Sequence, residues 1–147
     1  MAYAVYRMLR NLDPIRTAVF AQRARAFFDG MKLLADDLPS YDAAVALLAV
    51  HGAIALNDAI LIALTSKRSS AEAHDRAVNE LQRACKARSV GNKNGVQHLS
   101  WLIANKTAIS YADQRFGRAD EARVHAERFF SWAYNNFKEV LRAQADA

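Results

Sequence analysis

The sequence predicts an all-α protein, an up-and-down bundle of about five helices. Apolar residues recur at steps of three and four along most of the chain, and only five glycines and two prolines interrupt it. Runs of β-branched residues that alternate with polar ones are missing. Helical spacing with few turn formers is typical of helices, whereas half-buried strands need strict alternation.

The composition predicts one domain of ordinary size. The 147 residues are 52% hydrophobic and 24% charged, enough for a single core, and we assign residues 1–12 to an N-terminal extension and 13–143 to the bundle. A net charge of +5 is a mild bias toward anionic partners. The single Cys85 and the lack of a secretory signal favour a cytoplasmic protein, with Cys85 packed in the core.

The first two helices have clear signals. Asp13 and Pro14 are a capping acceptor and a first-turn proline, so we predict a helix from there to about residue 38. Its core-facing stripe is Phe20, Ala24, Phe27, Phe28, Met31, Leu34 and Leu38. A second helix is predicted over residues 41–67. Its stretch 47–64 is apolar on all sides and must therefore be buried. Because the stretch contains three polar residues and is short for a membrane span, we predict that it is buried in the protein and not in a bilayer.

Three further helices are predicted over residues 69–88, 96–113 and 119–143. Ser69 and Glu72 form a capping-box pattern at the start of the third. The fifth carries aromatic residues around more than half of its circumference, namely Phe129, Phe130, Trp132, Tyr134 and Phe137. One core-facing stripe does not need so many, so we predict that this helix buries a second face in a homodimer.

Several polar residues fall on otherwise apolar helix faces. His51 and Asp58 lie two turns apart on one side of the second helix, and Lys106 lies in the middle of an apolar face of the fourth. With His74 and Tyr111 they are predicted to converge into a partly buried network in which Asp58 neutralises Lys106. The network is either a structural ion pair with satisfied histidines or a pocket with shifted pKa values. Both versions require Asp58 and Lys106 to lie within salt-bridge distance.

Common catalytic and metal-binding motifs are missing from the sequence. It contains no HExxH, no paired CxxC, no glycine-rich phosphate loop and no GxSxG. The four histidines fall in four different predicted helices. We therefore predict neither a metal nor another cofactor.

Four segments resemble the HEPN group of bacterial helical domains. They are HGAIALNDAILIA, AHDRAVNEL, WLIANKTAISYADQRF and AERFFSWAYNNF, and the resemblance extends over about residues 13–140. It implies an up-and-down bundle that is commonly dimeric. Many such proteins are encoded beside minimal nucleotidyltransferases, which implies a partner protein of that type. Some members are metal-independent ribonucleases of toxin and defence systems.

The nuclease members of that family carry an arginine and a histidine with four to six residues between them, usually with asparagine or another polar residue directly after the arginine. The histidine handles proton transfer and the arginine holds the phosphate. Arg68 with His74 and Arg118 with His125 match the spacing. We prefer Arg68 and His74 because polar Ser69 follows the arginine. On the structural interpretation, Arg68 solvates a turn and His74 packs on the third helix.

Two classes of function therefore remain. The first is a non-catalytic HEPN-like accessory or interaction module that binds a partner protein, a nucleotide or RNA, and the motif context favours it because neither pair has the preferred asparagine. The second is a metal-independent ribonuclease whose dimer combines two Arg/His pairs. A helical bundle that acts by protein contact alone is a third possibility.

Overall fold

The computed structural model describes residues 11–68, 74–90 and 92–142. In these ranges the chain is helical without strands, so the predicted all-α bundle is confirmed. The helical segments are α1 Pro14–Ala35, α2 Asp42–Thr65, α3 His74–Ala87, α4 Asn94–Ala104, α5 Lys106–Tyr111 and α6 Ala119–Arg142. The predicted capping box at Ser69 and Glu72 lies outside the described residues.

Helix α1 begins as predicted. The Asp13 carboxylate accepts a hydrogen bond from the backbone N–H of Arg16 at 3.2 Å, and Pro14 occupies the first turn. The predicted stripe faces the core. Its buried members are Phe20, Ala24, Phe28 and Met31. Its partly buried members are Phe27, Leu34 and Leu38. The helix ends at Ala35, one turn earlier than predicted.

Helix α2 is the centre of the bundle. Helices α1 and α6 pack along it, and α3, α4 and α5 contact it as well. This surrounding explains why the helix is apolar on all sides. By length and composition its 24 residues would suffice to cross a membrane, but 78% of its most apolar window is buried inside the protein. Its length alone therefore does not argue against a span, contrary to the prediction; its burial is typical of a core helix.

The predicted fourth helix is divided at Asn105. The side-chain amide of Asn105 donates to the carbonyl of Trp101 at 2.9 Å, and its backbone N–H donates to the same carbonyl. The backbone leaves the helical conformation there, at φ −95° and ψ 0°. The short helix α5 therefore starts with a new rotational phase, and the apolar face that we predicted around Lys106 is not continuous.

The aromatic residues of α6 are accounted for within the chain. Phe129, Phe130, Trp132 and Phe137 are buried in the core, and Tyr134 packs partly buried against it. Phe130 stacks on Phe28 of α1 with ring centroids 4.1 Å apart. A departure from helical geometry at Phe137 also turns the last part of the helix. The aromatic excess therefore does not require a second subunit, because three helices of the same chain pack against α6. The homodimer itself stays a prediction.

Candidate functional site

Two histidines from different helices meet at the surface between α4 and α6. The Nδ1 atoms of His98 and His125 lie 2.9 Å apart, within hydrogen-bond distance. One ring must donate its Nδ1–H while the other accepts with its Nδ1 lone pair. In a neutral pair, the donor ring then has an unprotonated Nε2 and the acceptor ring carries its proton on Nε2. The pair thus combines a base and a hydrogen-bond donor.

Both imidazoles are held in the neutral form. Partial burial lowers the pKa of His98, and the charges of His125 and Arg128 lower it further. Burial is also the main reason why the pKa of His125 is lowered. Arg128 and Arg118 act on His125 in the same direction, whereas Glu121 opposes them. At neutral pH the two rings are therefore mostly uncharged and can keep their hydrogen bond.

Trp101 joins the histidine pair to an arginine. Its indole stacks on the His125 ring with centroids 4.3 Å apart, and the Arg118 guanidinium lies 5.0 Å from the Trp101 ring centroid. Glu121 accepts two hydrogen bonds from Arg118, at 2.8 and 2.9 Å, and its carboxylate is 4.0 Å from Nε2 of His125. We call these residues, with His98 and the exposed Arg128, the histidine cluster.

Helical spacing explains most of the histidine cluster. His98 and Trp101 are three residues apart on α4, and Glu121, His125 and Arg128 follow one another at steps of four and three on α6. The spacing of Glu121 and His125 is a signal in the sequence, and the predicted site residues did not include this pair. The contact between His98 and His125 joins residues 27 positions apart, and local spacing cannot predict it.

No protein-family model, curated protein or solved structure matches the chain. The HEPN resemblance therefore stays a prediction.

Of the two predicted Arg/His pairs, the structure describes both side chains of only one. Arg118 and His125 are brought together around Trp101. Arg68 is exposed and its guanidinium lies 5.1 Å from the ring centroid of Phe20. His74 begins α3, but its side chain lies outside the described part of the chain. A direct contact between Arg68 and His74 thus stays a prediction.

The predicted network around Asp58 is described in part. Asp58 is 6% exposed on α2, and both Asp58 and Lys106 have interaction partners. Burial and the charge of Lys106 lower the pKa of His51, so Lys106 acts on His51 electrostatically. An ion pair between Asp58 and Lys106 stays a prediction. Asn57, beside them, is 1% exposed, and its Oδ1 has no hydrogen-bond partner in the described structure.

Tyr111 does not belong to a buried network. Its side chain is 81% exposed at the end of α5. The prediction assumed that the fourth helix continues without interruption, and the division at Asn105 changes the direction in which residue 111 projects. Tyr111 is thus removed from the candidate pocket residues.

Cys85 and the possible metal ligands were the other candidates for a reactive site. Cys85 is fully buried, and burial raises the pKa of its thiol while Lys93 opposes the shift. This supports the interpretation of Cys85 as a packing residue. In the described ranges no three His, Cys, Asp or Glu side chains are grouped to hold a metal ion.

Proposed function

We propose that this chain is a HEPN-like accessory or interaction module that binds the phosphates of a nucleotide or RNA at the histidine cluster. The observation that carries the proposal is the joint position of Arg118, Arg128 and the histidine pair on one surface. Both arginines act on His125 electrostatically, and so does Glu121 with the opposite sign. An anion at this surface would thus interact with two cations and one carboxylate, which leaves one net positive charge. The all-α fold and the net charge of +5 support the same proposal.

Arg118 and Arg128 have different parts in this proposal. Arg118 is oriented by Glu121 and by the Trp101 ring, yet about half of its side chain is exposed, at 52%. Two of its nitrogens donate to Glu121, and the guanidinium has further N–H groups for a phosphate. Arg128 is exposed and supplies the second cation. A preoriented arginine loses less side-chain entropy when it binds a phosphate.

Fluorescence anisotropy with a fluorescein-labelled single-stranded RNA tests the proposal. Wild-type protein is expected to bind with an affinity that falls as salt rises, because phosphate binding releases counterions. Arg128→Gln should weaken binding about tenfold and reduce the salt slope by about one. Lys138→Gln removes one positive charge from another exposed position of α6 and should leave binding unchanged. Absence of salt-sensitive binding, or an equal loss in both variants, would contradict the proposal.

A metal-independent ribonuclease of toxin or defence type is the second candidate. The hydrogen-bonded His98 and His125 favour it, because an acid, a base and a phosphate-binding arginine are what such a reaction needs. Mixed structured and single-stranded RNA is incubated with the protein in EDTA. Loss of cleavage in Arg118→Ala/His125→Ala would place the reaction at the histidine cluster, and loss in Arg68→Ala/His74→Ala would place it after α2. Absence of cleavage by the wild-type protein would contradict the ribonuclease and favour the non-catalytic binding module.

A homodimer is also part of the proposal, now through a different surface. Ile15 and Leu33 of α1 are 81% and 78% exposed, and Val19 is 48% exposed. Ile15 and Leu33 are separated by 18 positions, about five helical turns, and so lie on one line along the helix. In an antiparallel pair about a two-fold axis, Ile15 packs against Leu33 of the partner subunit, and the same contact repeats at the other end.

The proposal also includes a partner protein and a cellular location. A nucleotidyltransferase-type partner and a cytoplasmic location follow from the family resemblance and from the composition. Co-purification of the tagged chain with the product of an adjacent gene would test the partner. The proposed phosphate site does not depend on the outcome.

A further inference from the structure

A second surface of the protein forms a groove with a charged rim. It lies between the end of α2 and the end of α3 and has a volume of about 650 Å³. Its floor is apolar and includes Leu61 and Leu64 from α2 and Ala84 and Ala87 from α3. The volume is within the range of small-molecule sites, roughly 300 to 1,000 Å³. The groove shares no residue with the histidine cluster.

The rim of this groove is strongly positive. Lys67 and Arg68 follow α2, and Arg83 and Arg88 belong to α3 and its end. Among the described lining residues we find one acidic residue, Glu80, and it has an interaction partner. The ends of α2 and α3 add about half a negative charge each. Two half charges and one carboxylate do not balance four cations.

The described rim residues include more cations than carboxylates, and three of the cations are open to solvent. Lys67, Arg68 and Arg83 are exposed. Arg88 is only partly exposed, and burial lowers its pKa. Partial burial of a guanidinium costs free energy, which a bound anion would offset.

We propose that this groove binds a small amphipathic anion, with a phosphate, sulfonate or carboxylate head at the arginines and an apolar body on the leucine and alanine floor. The charge excess of the rim selects the head. The aliphatic floor selects the body, because a fully hydrated anion such as free phosphate would leave it exposed to water. The groove therefore selects ligands that have both an anionic head and an apolar body. It is a separate site from the proposed phosphate site at the histidine cluster.

Binding of 8-anilinonaphthalene-1-sulfonate, a fluorescent amphipathic anion, tests this inference. Wild-type protein is expected to bind one molecule in a saturable manner, followed by fluorescence and calorimetry. Arg83→Gln/Arg88→Gln should weaken this binding at least about tenfold, because charge-assisted hydrogen bonds to the head are lost. Binding of the uncharged N-phenyl-1-naphthylamine should change much less in the same variant.

Two further variants make the test specific. A second groove of about 760 Å³ lies between α1 and α6 and is lined by Arg25. Arg25→Gln should leave sulfonate binding unchanged. Ala87→Leu narrows the floor of the first groove and should weaken both probes. Circular dichroism establishes that each variant is folded, and the single variants Arg83→Gln and Arg88→Gln replace the double variant if it unfolds.

Competition then identifies the head group. Decyl phosphate, decanoate and adenosine monophosphate are added to the protein with bound probe, and free phosphate serves as the control without an apolar body. Displacement by at least one of the first three, and none by free phosphate, is expected. The proposal is overturned if the wild type shows no saturable binding, if the Arg83/Arg88 and Arg25 variants lose equal affinity, or if free phosphate displaces the probe as well as decyl phosphate does.

Discussion

Gly95 at the start of α4 lies directly against the indole of Trp132 on α6. A Cβ atom added at position 95 would be 1.9 Å from Cδ2 of Trp132. The indole N–H donates to the carbonyl of Asn92 at 2.7 Å, which holds the ring in this position. The close approach of the two helices here also brings His98, one turn further along α4, to His125.

Replacement of Gly95 by alanine should therefore destabilise the fold and disturb the histidine pair. Trp132 is buried and cannot move aside without displacing its neighbours. We expect the free energy of unfolding to fall by about 2 to 3 kcal/mol, measured by urea denaturation. Gly117→Ala is the matched control, because no atom lies within 4 Å of a Cβ there and its φ is not positive. Equal effects of the two substitutions would contradict the packing argument.

Stability should decrease as the pH falls through the range of the histidines. The pKa values of His51, His98 and His125 are lowered in the folded protein, chiefly by burial. The unfolded chain therefore binds more protons as the pH falls below about 6.5. The stabilisation is fully present above that pH and is lost as the pH decreases through the lower folded-state values. Urea denaturation between about pH 7.5 and pH 5 measures this slope.

His98→Gln/His125→Gln isolates the contribution of the pair to this slope. Glutamine does not titrate, so the variant should lose less stability on acidification than the wild type does. The charges of Glu121, Arg118 and Arg128 remain in both proteins. An identical slope in the variant would show that the pair has no part in the pH dependence.

Asn57 should be dispensable for folding. Its Oδ1 is buried without a hydrogen-bond partner in the described structure, which costs free energy. Asn57→Leu is therefore expected to be neutral or to raise the free energy of unfolding by about 1 kcal/mol. Thr17 is the contrasting case, since its buried hydroxyl donates to the carbonyl of Asp13 at 2.7 Å. Thr17→Val should lower stability by about 1 kcal/mol. A large loss of stability in Asn57→Leu would point to a hydrogen bond formed in solution.

The exposed face of α1 should control self-association. Sedimentation of the wild type is expected to give twice the subunit mass of 16.4 kDa. Ile15→Glu/Leu33→Glu places charges at both ends of the proposed contact and should yield monomers. Ala43→Glu/Gln97→Glu adds the same two charges at exposed positions on other helices and should remain dimeric. A monomeric wild type would rule out this homodimer.

Local patterns in the sequence predicted the helices well. Asp13 and Pro14 marked the start of α1, and the stripe from Phe20 to Leu38 identified the face that α1 buries. The apolar character of α2 on all its sides predicted its burial. These features depend on residues three or four positions apart, and helical geometry alone relates such residues.

Other features depended on the packing of helices against one another. The aromatic side chains of α6 are one example. Periodicity counts apolar faces without showing how many helices of the same chain cover them, and three helices pack against α6. The exposure of Tyr111 followed from the change of phase at Asn105. Helical periodicity was thus sufficient to predict which segments are helical and which faces are apolar. The contact of His98 with His125 could not be predicted in this way, because it depends on the approach of two helices at Gly95 and Trp132.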